Sequence, residues 1–92
     1  MDHVYDAHFE PDPEGGFLVI FPDVPEAITA GRDEAEARRN AGEALGLALR
    51  GIVAAGSPLP APAAPRHDHV RIAVDREDAL KLALVEAFKR SG

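Results

Sequence analysis

The chain has 92 residues, a formal net charge of −6 and no cysteine. A chain of this length forms one small domain with a limited core. The absence of cysteine excludes a disulfide framework and a thiolate metal site. The negative charge disfavours non-specific binding to phosphate backbones and favours a basic protein partner. No apolar run approaches the roughly 18 residues of a membrane helix, and no signal-peptide pattern is present, so the sequence predicts a cytoplasmic protein without a membrane partner.

Residues 3–31 predict two or three strands. Tyr5, Ala7 and Phe9 alternate with polar residues, the pattern of a half-buried strand with Asp6 on its polar side. Residues 11–16 are dense in proline and glycine and predict a hairpin loop. Residues 17–21 are apolar on both faces, which places that strand mid-sheet or between a helix and a partner subunit. Residues 27–30 could form a short third strand.

Residues 33–55 predict the main helix. Asp33 is a candidate N-cap with Glu36 three positions on, as in a capping box, and apolar residues form one stripe at three- to four-residue spacing. Gly56 supplies a stop signal. Gly42 and Gly46 lie inside the helix, where they either allow a close approach or are tolerated defects.

The C-terminal third begins with a proline- and alanine-rich stretch, residues 57–69, that predicts an extended, semi-rigid spacer. Residues 70–74 alternate and predict a fourth strand. Residues 76–89 predict a helix that is apolar nearly all round, which indicates a partner surface.

Together these segments predict an α+β fold: a small, mainly antiparallel sheet of three or four strands packed by one long helix, in the order β-β-β-α-β, with a C-terminal helix for packing or oligomerisation. The predicted units are a core of residues 1–56, a linker of 57–69 and a C-terminal strand and helix of 70–92. Apolar residues on the second strand and last helix predict self-association, most simply as a dimer. The predicted oligomerisation residues are Leu18, Ile20, Leu80, Leu84 and Phe88.

Candidate chemistry is sparse. His67 and His69 could share a metal, but no third ligand with suitable spacing follows. The carboxylates near the first hairpin fall mostly in turns, where aspartate is favoured for local hydrogen bonds, and His8 reads as solvated. No serine or threonine has a base beside it in a recognisable pattern. We therefore expect no enzyme activity, no metal and no cofactor.

The order and spacing of several short motifs resemble the HicB family, the antitoxin half of bacterial toxin–antitoxin pairs. The first group consists of Tyr5, Ala7, Phe9–Asp12, Gly15–Phe17, Val19, Phe21–Asp23, Pro25, Thr29 and Gly31. The second consists of Glu34, Glu36, Ala37, Leu59–Pro60, Ala79, Lys81, Leu84, Ala87 and Phe88. The resemblance covers nearly the whole chain.

This resemblance implies an antitoxin that binds HicA, a small basic RNA-cleaving toxin, and the acidic charge of the chain suits such a partner. Many members of the family also bind their operator through a C-terminal helix-turn-helix or ribbon-helix-helix. Neither fits after residue 89, so we expect this chain not to bind operator DNA by itself. Two alternatives stay open: a solitary oligomeric adaptor or regulator without a toxin, and a degraded nuclease-like enzyme.

The toxin contact is expected in the hairpin and first-helix region, where negative charge is concentrated. The candidate contact residues are Glu10, Asp12, Asp23, Glu26, Asp33, Glu34 and Glu36. Opposite charge on the partner would steer association toward this region.

Overall fold

The computed structural model describes residues 3–74, 80–82 and 84. The elements in chain order are β1 (Val4–Pro11), β2 (Phe17–Ile20), β3 (Ile28–Gly31), α1 (Glu34–Ala54) and β4 (Val70–Ala73). All three strand pairs are antiparallel and the sheet order is β3-β2-β1-β4. The predicted α+β fold is confirmed. Residues 80–82 and 84 are helical, and the remainder of the predicted C-terminal helix lies outside the described residues.

The β1–β2 hairpin closes through two glycines with positive φ, Gly15 at 105° and Gly16 at 81°. The Asp12 N–H donates to the Gly16 carbonyl at 3.0 Å, and the Gly15 N–H donates to the Asp12 carbonyl at 2.9 Å. A β-carbon at Gly16 would collide with the carbonyl oxygen of Gly31 on β3. Glycine is therefore required at Gly16 by both conformation and space.

The core lies between one face of the sheet and α1. Tyr5, Ala7 and Val19 from the sheet and Leu45 and Leu49 from the helix are fully buried. Full burial of each of these leucines contributes about 1.5–3 kcal/mol to folding. The other core members from α1 and the sheet are Ala37, Ala41, Val53 and Ile72. The 3.6-residue and two-residue periods in the sequence therefore identify the inner faces correctly.

Glycines let the helix approach the sheet closely. Gly42 and Gly46 are buried in the same stripe as the core leucines. Of the two interpretations of these glycines, their burial favours a close approach of the helix to the sheet over a tolerated helix defect. Gly31, at the end of β3, lies so near the first turn of α1 that a β-carbon there would collide with the backbone of Ala37. The start of the helix is thereby pressed against the end of the sheet.

Both helix ends are capped. The Asp33 carboxylate accepts a hydrogen bond from the Glu36 N–H at 2.8 Å, as predicted for an N-cap. The Glu36 carboxylate accepts from the Arg32 N–H at 3.0 Å, one residue before the cap. At the other end Gly56 has a φ of 81°, and the N–H groups of Gly56 and Ser57 donate to the carbonyls of Val53 and Ile52. This pair of bonds is a Schellman motif.

Residues 57–69, called the strap below, have no helix or strand and are tied to the folded core. The Tyr5 hydroxyl donates to the Pro60 carbonyl at 2.5 Å. Further along, the Arg66 N–H donates to the Asp6 carboxylate at 2.7 Å. The strap then leads into β4, which pairs with β1. The strap thus connects α1 to the sheet edge while held against the domain at both points.

Candidate functional site

Asp6 lies on the face of β1 opposite Tyr5, yet only 1% of its surface is exposed. The predicted face of the strand is therefore correct for Asp6, but this position of the face is covered and not exposed to solvent. The carboxylate accepts from the Arg66 N–H at 2.7 Å and from Arg71 Nη1 at 2.7 Å. Arg71 is the register partner of Asp6 on β4, and His69 Nδ1 lies 3.8 Å from Asp6 Oδ2. The strap and a cross-strand arginine together cover the carboxylate.

Asp23, in the turn between β2 and β3, is held by the same strap. Its carboxylate accepts from Arg66 Nη2 at 2.8 Å and from Nη1 at 3.2 Å. The Arg66 guanidinium also reaches Asp6 Oδ2 at 3.5 Å. Arg66 therefore bridges two carboxylates that are 17 residues apart along the chain and fixes the strap to both.

These ion pairs keep the carboxylates charged. The hydrogen bond from Arg71, followed by contacts with Arg66, holds the pKa of Asp6 below its ordinary value. The hydrogen bond from Arg66 lowers the pKa of Asp23 and raises the pKa of Arg66 itself. Oxygens saturated in this way hold the strap in place, and they have little capacity left for an external ligand.

Five of the seven predicted contact residues lie at one end of the sheet. The register pairs Pro11 with Phe17 and Phe17 with Gly31, so the hairpin loop and the start of α1 are neighbours. This region, called the acidic end below, also includes Glu14 of the loop, which the prediction omitted. Its carboxylates belong to Glu10, Asp12, Glu14, Asp33, Glu34 and Glu36.

The carboxylates of the acidic end differ in how firmly they are engaged. Asp33 caps α1, and Glu36 forms an ion pair with Arg32 at 2.8 Å, whose hydrogen bond lowers the pKa of Glu36. Glu34 pairs with Arg38 at 3.0 Å on the exposed helix surface. In the part of the chain that the structure describes, the side chain of Glu10 has no hydrogen-bond or ion-pair partner.

Asp23 and Glu26 lie away from the acidic end. Both belong to the β2–β3 turn, which leaves the sheet beside the Ile20–Ile28 register pair at the opposite end of these strands. Asp23 is engaged by Arg66, whereas Glu26 is exposed. The predicted contact set is therefore divided between two ends of the domain.

The outer face of the sheet, opposite α1, has two unlike halves. Leu18, Ile20 and Ile28 share its β2–β3 half, with Leu18 38% and Ile28 61% exposed. Its β1–β4 half contains the Asp6–Arg71 pair. Leu80 and Leu84 are also exposed, and Phe88 lies outside the described residues. Self-association through these residues stays a prediction.

Residues 3–74, 80–82 and 84 show neither a metal-binding cluster nor a membrane-spanning helix. In these residues no group of three histidine, aspartate or glutamate side chains is arranged to hold a metal ion. His67 and His69 do not converge: His67 is exposed beside Asp68, whereas His69 is half-buried with its ring 5.5 Å from that of His8. None of the described helices is long and apolar enough to cross a membrane.

Comparison with known proteins gives consistent matches. The family model for the HicB_like antitoxin of bacterial toxin–antitoxin systems matches residues 4–83. The chain is 40% identical over 89 residues to Antitoxin HicB of Escherichia coli K12, and equally to that of Escherichia coli O157:H7, covering 95% of this chain and 63% of each relative. It is 34% identical over 84 residues to Antitoxin HicB 1 of Photorhabdus laumondii, covering 91% and 53%. The chain thus spans less than two thirds of the length of these curated relatives.

Proposed function

The chain belongs to the HicB-like antitoxin family, and we propose that it is the antitoxin of a HicAB-type pair that binds and neutralises a basic, mRNA-cleaving HicA-type toxin. The observation that carries this proposal is the family match across residues 4–83, which includes the whole sheet and α1. The relatives' names describe antitoxins. A non-enzymatic, protein-binding role fits a domain in which the sheltered carboxylates Asp6 and Asp23 are occupied by arginines.

We further propose that the acidic end is the main toxin contact. Six carboxylates meet there, and Arg32, Arg38 and Arg39 offset only part of their charge. A cluster of one sign raises the encounter rate with a partner of opposite sign. Glu10 and Asp12 are the strongest contact candidates because both are exposed on the hairpin and neither forms an ion pair within residues 3–74, 80–82 and 84.

Co-expression tests the function. A short basic reading frame next to this gene would be expressed from an inducible promoter with and without the 92-residue chain. We expect growth arrest with the toxin alone, growth when the chain is present, and a stable complex on co-purification. Lack of rescue together with lack of a complex would contradict the proposal and leave the solitary adaptor as the function to pursue.

The outer face supports self-association as an accompanying property. Leu18, Ile20 and Ile28 form an apolar area on the sheet, bordered by Glu10 opposite Leu18, and apolar surface of this kind is what a second subunit covers. Light scattering at micromolar concentration should show a dimer or larger species, and a monomer near 9.8 kDa would contradict it.

Failure to bind operator DNA also remains a prediction, which a gel-shift with the chain's own promoter tests.

A further inference from the structure

A cleft of about 470 Å³ opens where α1 ends. Ala48 and Ile52 line it from the helix, Pro58 and Pro60 from the strap, and Glu26 from the β2–β3 turn. The strap wall is fixed on both sides, by the Ser57–Ile52 hydrogen bond at the helix end and by the Tyr5–Pro60 hydrogen bond from β1. The cleft is therefore a preformed part of the fold with mostly apolar walls.

Gly51 also lines the cleft, and packing does not require a glycine at this position. It lies inside α1, where glycine is the poorest helix former except proline. A β-carbon at Gly51 would meet no atom within 4 Å, and its φ is not in the left-handed region. Gly31, by contrast, has no room for a β-carbon. A residue that weakens its helix while space is available indicates a functional constraint, and its effect here is to leave the cleft wide.

The cleft favours a positive charge. Among the described residues that line the cleft, Glu26 supplies the carboxylate. Its side chain has no hydrogen-bond or ion-pair partner within the described part of the chain. The last turn of α1 contains no basic residue, so no cationic side chain of that turn offsets the helix dipole at this capped end. Both features attract a cation to the same rim.

We propose that this cleft binds one arginine or lysine side chain of the basic protein partner, as a second contact separate from the acidic end. This inference rests on the proposed function, which supplies a basic partner. Such a side chain has a long aliphatic stem that packs along apolar walls while its charged end stays at the rim. The prolines and the helix would contact the stem, and Glu26 would pair with the cation.

Two substitutions test the cleft, each with a matched control. Gly51→Leu places a bulky side chain in the cleft, from a position where a β-carbon meets no atom within 4 Å. Ala54→Leu places a bulky side chain at an exposed position of α1 outside the described lining. Glu26→Gln removes the rim charge, and Glu43→Gln removes an exposed charge elsewhere on α1. Affinity for an inactivated toxin from the adjacent reading frame would be measured by titration calorimetry, and thermal unfolding would verify that each variant folds.

We expect Gly51→Leu and Glu26→Gln each to weaken binding about tenfold or more, with the two controls unchanged. Equal affinity for the wild type and all variants would contradict the cleft as a contact site and would leave the proposed antitoxin function unaffected. A loss with Gly51→Leu but not with Glu26→Gln would show an apolar occupant and overturn the cation. No binding by the wild type would overturn the antitoxin function and the cleft's occupant together.

A small probe tests the cleft directly. Nα-acetyl-arginine amide at millimolar concentration should shift the amide resonances of Gly51 and Glu26, whereas Nα-acetyl-glutamine amide should not. Equal shifts from both compounds, or shifts from neither, would contradict a site for a cationic side chain.

Discussion

The carboxylates beneath the strap and those at the acidic end are chemically alike but differ in their partners. Asp6 and Asp23 bind arginines that lie 43 to 65 residues away along the chain. Glu34 and Glu36 bind arginines four residues away, and Glu10 is exposed. The distant pairs hold the tertiary structure together, whereas local pairs on a solvated surface contribute little to stability and leave the charge accessible to a partner.

The comparison separates structural carboxylates from those suited to binding. A carboxylate whose oxygens are already occupied has few sites for a new ligand, and its removal disturbs the fold. An exposed carboxylate can be reversed in charge at little structural cost, so that its effect on binding can be read directly.

Asp6→Asn should give the largest loss of stability. The change removes the charge that Arg66 and Arg71 bind, and it replaces one of the two oxygens that accept their hydrogen bonds with an NH₂ donor. We expect the melting temperature to fall by about 10 °C or more. Glu10→Gln, the control on the same face of the same strand, should change it little. A melting temperature within 2 °C or so of the wild type for Asp6→Asn would contradict the structural role.

Gly31→Ala should be next, because it forces β3 and the start of α1 apart. The added methyl group has no space beside the backbone of Ala37, and overpacking of this kind costs about 1–3 kcal/mol. Urea unfolding would measure the loss. Gly51→Ala is the matched control, since its methyl group has space, and it should stabilise the protein slightly. Equal effects of the two changes would be inconsistent with the close approach.

The pH dependence of stability should reveal the carboxylates beneath the strap. Their pKa values are lowered in the folded protein, so the unfolded chain binds protons more readily and acid favours unfolding. The stability that they contribute is present above about pH 4 and is lost as the pH falls further. Denaturant unfolding between pH 7 and pH 3 should show a smaller loss for Asp23→Asn than for the wild type. An identical loss would show that Asp23 does not contribute.

Glu34→Gln should have the smallest effect. Its pair with Arg38 is exposed and spans one helical turn, so we expect a change of about 0.3–0.5 kcal/mol in the free energy of unfolding. Urea unfolding at low and high salt measures it. A loss above roughly 1 kcal/mol would place Glu34 with the structural carboxylates instead.

The sequence predicts the fold well because the signals of its elements are local. The alternation of Tyr5 and Ala7, the N-cap Asp33 and the stop at Gly56 depend on neighbours within a few residues, and the structure confirms them. It does not predict that Asp6 is covered, since the cover comes from Arg66, 60 residues away. The proline pattern of the strap indicates an extended chain but does not indicate what that chain packs against.

The candidate site was predictable only in part, for the same reason. The hairpin and the start of α1 are close in sequence to the same strands, so their negative charges were grouped correctly. Asp23 and Glu26 are also close in sequence to these strands. They lie in the β2–β3 turn, however, at the end of the β2–β3 pair opposite the hairpin loop and the start of α1. Gly51 could have been noticed as an exposed glycine within a helix, but only its empty surroundings connect it with the cleft.

The role of the acidic end is tested most directly by the association rate between this chain and the inactivated toxin, measured by stopped-flow at low and moderate salt. For the double variant Glu10→Lys and Asp12→Lys we expect association about tenfold slower than the wild type at low salt, with a weaker salt dependence. Glu43→Lys on α1 is the control for the single reversal Glu10→Lys, which changes the net charge equally, and it should slow association much less than Glu10→Lys does. Equal slowing by the control, or no slowing by the double variant, would contradict the acidic end as the toxin contact.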